Sequence, residues 1–170
     1  LNSCTACAAG KYSAAGASSC SACAAGKYST GAASSCTTCT AGYYCPGNSN
    51  RIACPDGYTS GAGASAQANC YISVPPGKYL TTEGSTTIGT CPAGTYKGGH
   101  TVNFGSKSSC NECLKNSYSA AGASVCTTCP AGKYTTGTGS TSCISCPAGS
   151  YCPAGANPQS CPAGQYSPMN

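Results

Sequence analysis

Apolar residues along this chain follow neither the 3.6-residue period of a helix nor the sustained alternation of a long strand. They recur as isolated tyrosines in a small, polar background: Tyr12, Tyr28, Tyr44, Tyr58, Tyr79, Tyr96, Tyr118, Tyr134, Tyr151 and Tyr166. Most follow an Ala-Gly or Pro-Ala-Gly, and six precede Ser or Thr. Ala-Gly is a turn signal, because Gly accepts a positive φ at no steric cost. The x-Tyr-Ser or x-Tyr-Thr that follows has β propensity, and a Gly-Ala-Ser stretch then turns the chain back. The predicted element is a short irregular hairpin. No helical period survives the Gly and Pro.

Cysteines frame each hairpin. Cys4, Cys20 and Cys36 are 16 residues apart, as are Cys7, Cys23 and Cys39, and the same step separates Cys110 from Cys126 and Cys113 from Cys129. The segments "CAAGKYSAAGASSCSAC", "CAAGKYSTGAASSCTTC" and "CLKNSYSAAGASVCTTC" are near copies. Internal repetition at a short period, with each unit touching its neighbours, predicts a quasi-one-dimensional array. The expected fold class is small, disulfide-rich and mostly β or irregular: an elongated tandem array of short Cys-stapled hairpins with essentially no helix. The tyrosines are expected to supply most of its apolar packing.

Composition shows why the cysteines matter. Three Leu, four Ile, three Val and one Phe are all the large aliphatic and phenyl side chains among 170 residues, and Trp is absent. So poor an apolar inventory usually means disorder, but disorder comes with high net charge, and only 6% of these residues are charged. The 18 Cys resolve the conflict. Fixing a residue costs about 1–2 kcal/mol of backbone entropy, and each cross-link offsets about 2–4 kcal/mol of it in the loop model. Cystines on this scale belong to an oxidising, extracellular compartment. No apolar run of about 18 residues is present to span a membrane. The expectation is a mature protein, or a segment of a longer one, with its export signal removed.

Two regular pairings fit the spacing. In one, each hairpin closes on itself: Cys7–Cys20, Cys23–Cys36, Cys113–Cys126 and Cys129–Cys143. Cys4 is then left over, and one of the orphans Cys4 and Cys161 could bond a neighbouring chain. In the other, neighbours interlock: Cys4–Cys20, Cys7–Cys23, Cys36–Cys45, Cys39–Cys54, Cys70–Cys91, Cys110–Cys126, Cys113–Cys129, Cys143–Cys152 and Cys146–Cys161. That scheme uses every sulfur. Cys4, Cys7, Cys20 and Cys23 also have the spacing of a four-cysteine zinc site. The unbroken continuation of the pattern argues against that reading, and thioredoxin-type redox chemistry needs a βαβ setting that the chain lacks. No metal and no cofactor are expected.

The three acids, Asp56, Glu83 and Glu112, are far apart, no nucleophile-base order stands out, and no phosphate-cradling loop opens a helix. The chain is therefore read as not an enzyme. Its +5 charge is sparse, too thin for nucleic acid. Lys11, Lys27, Lys78 and Lys133 share the G-K-Y slot and form a candidate row for acidic glycans. With 25 Ser and 19 Thr, the paired hydroxyls Thr37, Thr38, Thr127, Thr128, Thr135 and Thr136 are candidate O-glycosylation sites.

Two segments break the repeat, 71–90 and 97–107. They divide the chain into tandem repeats over 1–70, irregular repeats over 71–109 and tandem repeats over 110–170. Ile72, Val74, Leu80, Ile88, His100 and Phe104 within them are candidate subunit or ligand contacts, the alternative being a local core that replaces a missing disulfide.

The stretch "CTTCPAGKYTTGTGSTSCISCPAGSYC", Cys126 to Cys152, resembles the ephrin-receptor-like cysteine-rich repeat, which is related in style to tumour-necrosis-factor-receptor and EGF-like modules. The resemblance implies an extracellular, non-enzymatic spacer or assembly module and carries no catalytic residue over. In similar EGF-like modules interlocked pairing is common, which favours the second scheme here. The expected function is a rigid structural rod in a fibre, surface appendage or coat, glycosylated and self-associating, with no direct membrane insertion. The alternative is a ligand-binding ectodomain segment of a cell-surface receptor.

Overall fold

The computed structural model describes residues 3–168. The chain is a tandem series of antiparallel hairpins whose strands are two to four residues long. Among the described residues the only helical turn is the 3-10 turn Gln67–Asn69.

The first hairpin shows how the sequence makes the unit. Lys11 N–H donates to the Ala8 carbonyl at 3.1 Å, and Gly10 between them has φ +80. That combination is a type II turn, which needs a left-handed residue at its third position. Lys11–Tyr12 leaves the turn as a strand and pairs with Ser21–Ala22, Lys11 opposite Ala22 and Tyr12 opposite Ser21. Cys23 N–H then donates to the Gly10 carbonyl at 2.8 Å. Lys27–Tyr28 pairs with Thr37–Thr38 in the same way. So do Ser117–Tyr118 with Thr127–Thr128 and Lys133–Tyr134 with Ile144–Ser145.

Successive hairpins are joined by a repeated set of bonds. Gly10 N–H donates to the Ser29 carbonyl (2.9 Å) and Ala32 N–H to the Cys7 carbonyl (2.8 Å), while Ser29 Oγ donates to the Lys11 carbonyl at 2.8 Å. A later pair repeats all three: Gly94 N–H to Ser119 O (2.9 Å), Gly122 N–H to Cys91 O (2.8 Å) and Ser119 Oγ to Thr95 O at 2.9 Å. Backbone groups that two-residue strands leave open thus find partners in the next unit.

The chain forms two compact units, one of residues up to Ile72 with Thr101–Ser106, the other of Ser73–His100 with Lys107 onward. Within each unit the interior consists largely of sulfur. Cys39, Cys45 and Cys70 are fully buried in the first, Cys91, Cys113 and Cys129 in the second. The position after the strand tyrosine is the other interior slot, held by Ser29 and Cys45 in the first unit and by Leu80, Ser119, Thr135 and Cys152 in the second. The strand tyrosines are mostly half-buried, and Tyr151 and Tyr166 are exposed. Cystines fill the packed centre, as a series of cysteine-stapled hairpins implies, and the tyrosines expected to supply most of the apolar packing are mostly only partly buried. Tyr58 does not occupy the tyrosine slot at all. It directly follows Gly57, so it closes the turn from Pro55 and packs edge-on against Phe104, ring centroids 5.2 Å apart.

The pairing of sulfurs corrects the interlocked scheme throughout. The bonds are Cys7–Cys20, Cys23–Cys36, Cys39–Cys45, Cys54–Cys70, Cys91–Cys110, Cys113–Cys126, Cys129–Cys143 and Cys146–Cys152. Cys4–Cys20, Cys7–Cys23, Cys36–Cys45, Cys39–Cys54, Cys70–Cys91, Cys110–Cys126, Cys113–Cys129, Cys143–Cys152 and Cys146–Cys161 do not form; Cys4 and Cys161 are free thiols. Strand register is the cause. Cys20 and Cys23 bracket the return strand Ser21–Ala22. Cys20 closes onto its own hairpin, with its Cα 5.7 Å from that of Cys7, well inside disulfide reach. Cys23 opens the next hairpin.

Candidate interaction surface

Of the six apolar and aromatic residues proposed as contacts, Val74 and Leu80 are buried, Ile72, His100 and Phe104 are half-buried and Ile88 is exposed. Val74 is 2% exposed and Leu80 fully buried. Leu80 N–H is held by Ser108 Oγ at 2.9 Å, and Ser108 N–H returns to the Leu80 carbonyl at 3.2 Å. With no cysteine between Cys70 and Cys91, an aliphatic side chain takes the slot that Cys45 and Cys152 fill elsewhere. Phe104 is occupied by Tyr58, and Ile72 is half-buried. Ile88 lies on the surface at 39% exposure. His100 is half-buried; its Nδ1 is 3.0 Å from the Gly98 carbonyl, while its buried Nε2 has no hydrogen-bond partner among the described residues.

The hydroxyl candidates divide. Thr37, Thr38, Thr127, Thr128 and Thr136 are exposed. Thr135 is 2% exposed, and its Oγ1 accepts from Asn116 N–H at 2.7 Å and donates to the Gly137 carbonyl at 3.1 Å. A side chain fixed in that way cannot accept a sugar, so Thr135 is removed as a glycosylation site. Lys27 and Lys133 are exposed, whereas Lys11 and Lys78 are partly covered; Lys78 Nζ donates to Thr90 Oγ1 at 2.7 Å.

Two surface features were not singled out from the sequence. In the second unit, Leu114 and Val125 are 75% and 67% exposed and flank a groove of about 300 Å³ beside Tyr96. The matching groove of the first unit, beside Tyr12, has Ala24 and Ser35 at those positions. The replacements are visible where "CLKNSYSAAGASVC" is laid on "CAAGKYSTGAASSC". The second feature is a depression of about 760 Å³ at Cys4, whose walls include Thr5, Ala6, Ser13, Gly16 and Ala17.

The groove beside Tyr96 offers apolar Leu114 and Val125, whereas the depression at Cys4 is walled largely by hydroxyls, among them Ser3, Thr5, Ser13 and Ser18. Asp56, Glu83 and Glu112 are exposed, with Glu112 Oε2 accepting from Thr138 Oγ1 at 3.0 Å. Among the described residues no three His, Cys, Asp or Glu side chains come together as a metal site. Of the cysteines with zinc spacing, Cys7 and Cys20 share a bond, and Cys23 is bonded to Cys36. Among the described residues no helix is long and apolar enough to cross a membrane.

The hairpins and their cystines define a disulfide-rich repeat module. A family model described as "Tyrosine-protein kinase ephrin type A/B receptor-like" matches residues 116–154. The matched stretch begins at the turn residue Asn116 and contains the Cys129–Cys143 and Cys146–Cys152 bonds. No curated protein gives a significant match to the chain.

Proposed function

We propose that the chain is a structural repeat module of an extracellular fibre, surface appendage or coat, acting by stiffness and by attachment to other copies. One observation carries this reading: all but one of the paired hairpins hold a cystine, and backbone hydrogen bonds of one repeated pattern tie successive hairpins together. Bending such an array means breaking backbone hydrogen bonds within a covalently stapled frame, so it resists bending and proteolysis together. Disulfides persist outside the cell, which supports placing the module there. Exposed Thr37, Thr38, Thr127, Thr128 and Thr136 would carry O-linked sugar, and exposed Lys27 and Lys133 would meet acidic glycans.

A second reading is a ligand-binding ectodomain segment of a cell-surface receptor. The receptor-like family match over residues 116–154 favours it, and its contact would be the Leu114–Val125 groove. Electron microscopy of the native material separates the two. Regular polymers are expected on the first reading; dispersed monomers that capture a soluble partner would overturn it.

A further inference from the structure

One hairpin in the series keeps the backbone of its neighbours but not their staple. Val-Pro-Pro-Gly-Lys-Tyr at 74–79 stands where Cys-Pro-Ala-Gly-Lys-Tyr stands at 129–134, and Ile-Gly-Thr-Cys at 88–91 stands where Cys-Ile-Ser-Cys stands at 143–146. Strand register agrees with this alignment. Lys78 faces Thr90 as Lys133 faces Ser145, and Tyr79 faces Gly89 as Tyr134 faces Ile144. The turn is also the same: Lys78 N–H donates to the Pro75 carbonyl at 3.3 Å, Cys91 N–H donates to the Gly77 carbonyl at 2.9 Å, and Gly77 has φ +73. Val74 and Ile88 therefore hold the places of Cys129 and Cys143, which are bonded to each other in the later hairpin.

The loss matters for how the chain carries a load. Across each cystine the two Cα atoms are 5.7–5.9 Å apart, and the bond keeps them there when the chain is pulled. From Cys7 to Cys152, most cystines are separated from the next by only two residues, and one pair by the eight residues 46–53. The exception is 71–90, a run of twenty residues between Cys70 and Cys91 with no bond across it.

Noncovalent contacts alone hold this run. Val74 and Leu80 are buried. Gly77 N–H donates to the Lys97 carbonyl at 2.8 Å, and Leu80 exchanges two hydrogen bonds with Ser108. Within the next cystine loop, Cys91–Cys110, Phe104 forms a clasp. Its N–H donates to the Cys70 carbonyl at 2.7 Å, and its ring packs on Tyr58. Cys70 and Cys91 can be drawn apart only once that clasp opens.

Resting on the reading of the chain as a structural module, we propose that residues 71–90 are its yielding element. Under tension the Phe104 clasp opens and this run extends, while the stapled hairpins stay closed. This is a local opening of the least restrained part of the fold. Cys70 and Cys91 remain bonded to Cys54 and Cys110 throughout, so both ends of the run stay anchored in folded hairpins and it refolds when tension falls. An extended chain spans about 3.3–3.6 Å per residue, so the run can lengthen the molecule by up to about 70 Å, whereas 46–53 can give at most about 30 Å.

The full chain, tethered by tags at its two ends, is stretched in optical tweezers without reductant. A reversible step is expected that is longer than about 30 Å and no longer than about 70 Å. The double variant Val74→Cys with Ile88→Cys, its added bond checked by peptide mapping, is expected to lose that step. Phe104→Ala is expected to keep its length and lower its force. A chain with no such step, a step that survives the added bond, or an unchanged force in Phe104→Ala would each overturn the proposal. Electron microscopy tests the structural reading separately: regular polymers from a chain that shows no step would leave that reading standing and remove the yielding element.

Discussion

Gly77 and Gly122, from hairpins separated in the chain by the Thr95–Tyr96/Asn111–Glu112 hairpin, approach so closely that a Cβ on Gly77 would fall 1.9 Å from the Gly122 carbonyl oxygen. Gly77 also holds φ +73, the left-handed conformation that its turn requires. Gly77→Ala therefore meets two penalties at once, backbone strain of about 1–2 kcal/mol and a clash with main chain that has little room to shift. A large fall in thermal stability is expected by circular dichroism. Gly98→Ala, with no atom within 4 Å of its added carbon, is expected to stay within about 0.5 kcal/mol of the original.

Asn116 stands where the other turns carry glycine and adopts φ +65. Its side chain supports that geometry. Nδ2 donates to Asn157 Oδ1 at 3.0 Å, and Oδ1 accepts from Thr135 N–H at 3.3 Å. Asn116→Gly keeps the turn and loses these bonds, whereas Asn116→Ala loses the bonds and strains the turn. Urea denaturation should order the three chains Asn, Gly, Ala from most to least stable, with the Gly variant lower by about 1–3 kcal/mol for the donors and acceptors left open.

Thiol titration of the folded chain should count two, Cys4 and Cys161. Replacing both Cys91 and Cys110 by Ser removes one bond and is expected to cost about 2–4 kcal/mol. Because that bond closes only its own loop, peptide mapping should find the other seven unchanged. An interlocked network would instead reshuffle around the gap.

Much of this architecture could be read in the residues. The 16-residue step, the Ala-Gly turn and the Tyr-Ser strand appear where the spacing puts them. Sulfur connectivity was harder, because C-x-x-C spacing permits either neighbour. The interlocked scheme required every sulfur to find a partner within the chain, and strand register obeys no such rule. Tyr58 was open to correct assignment: Gly57-Tyr58 lacks the residue that separates Gly from Tyr in its sister units. Val74 and Leu80 looked like surface contacts because they fall where the cysteines stop. Their burial follows from the same fact, since this hairpin has no cystine of its own and its interior is filled by aliphatic side chains instead.

Arg51 is an unusual cation in this chain, because its guanidinium lies over two rings, 4.5 Å from the centre of Tyr43 and 5.4 Å from that of Tyr28. Its Nη1 also donates to Thr40 Oγ1 at 3.1 Å. Arg51→Ala should lower stability by about 1 kcal/mol. Arg51→Lys should recover only part of that, because an ammonium cannot lie flat on a ring while donating sideways. Guanidinium titration of the three chains measures the difference.

Self-closing loops also set the order in which such a polypeptide can mature. Cys7 and Cys20 need only the 13-residue separation between them to bond, so this loop can be sealed before later hairpins have formed. Such a loop oxidises without waiting for a distant sulfur and with few wrong partners within reach. Duplicating or deleting a whole hairpin leaves every remaining loop intact, so a gene of this kind can grow or shrink by single units.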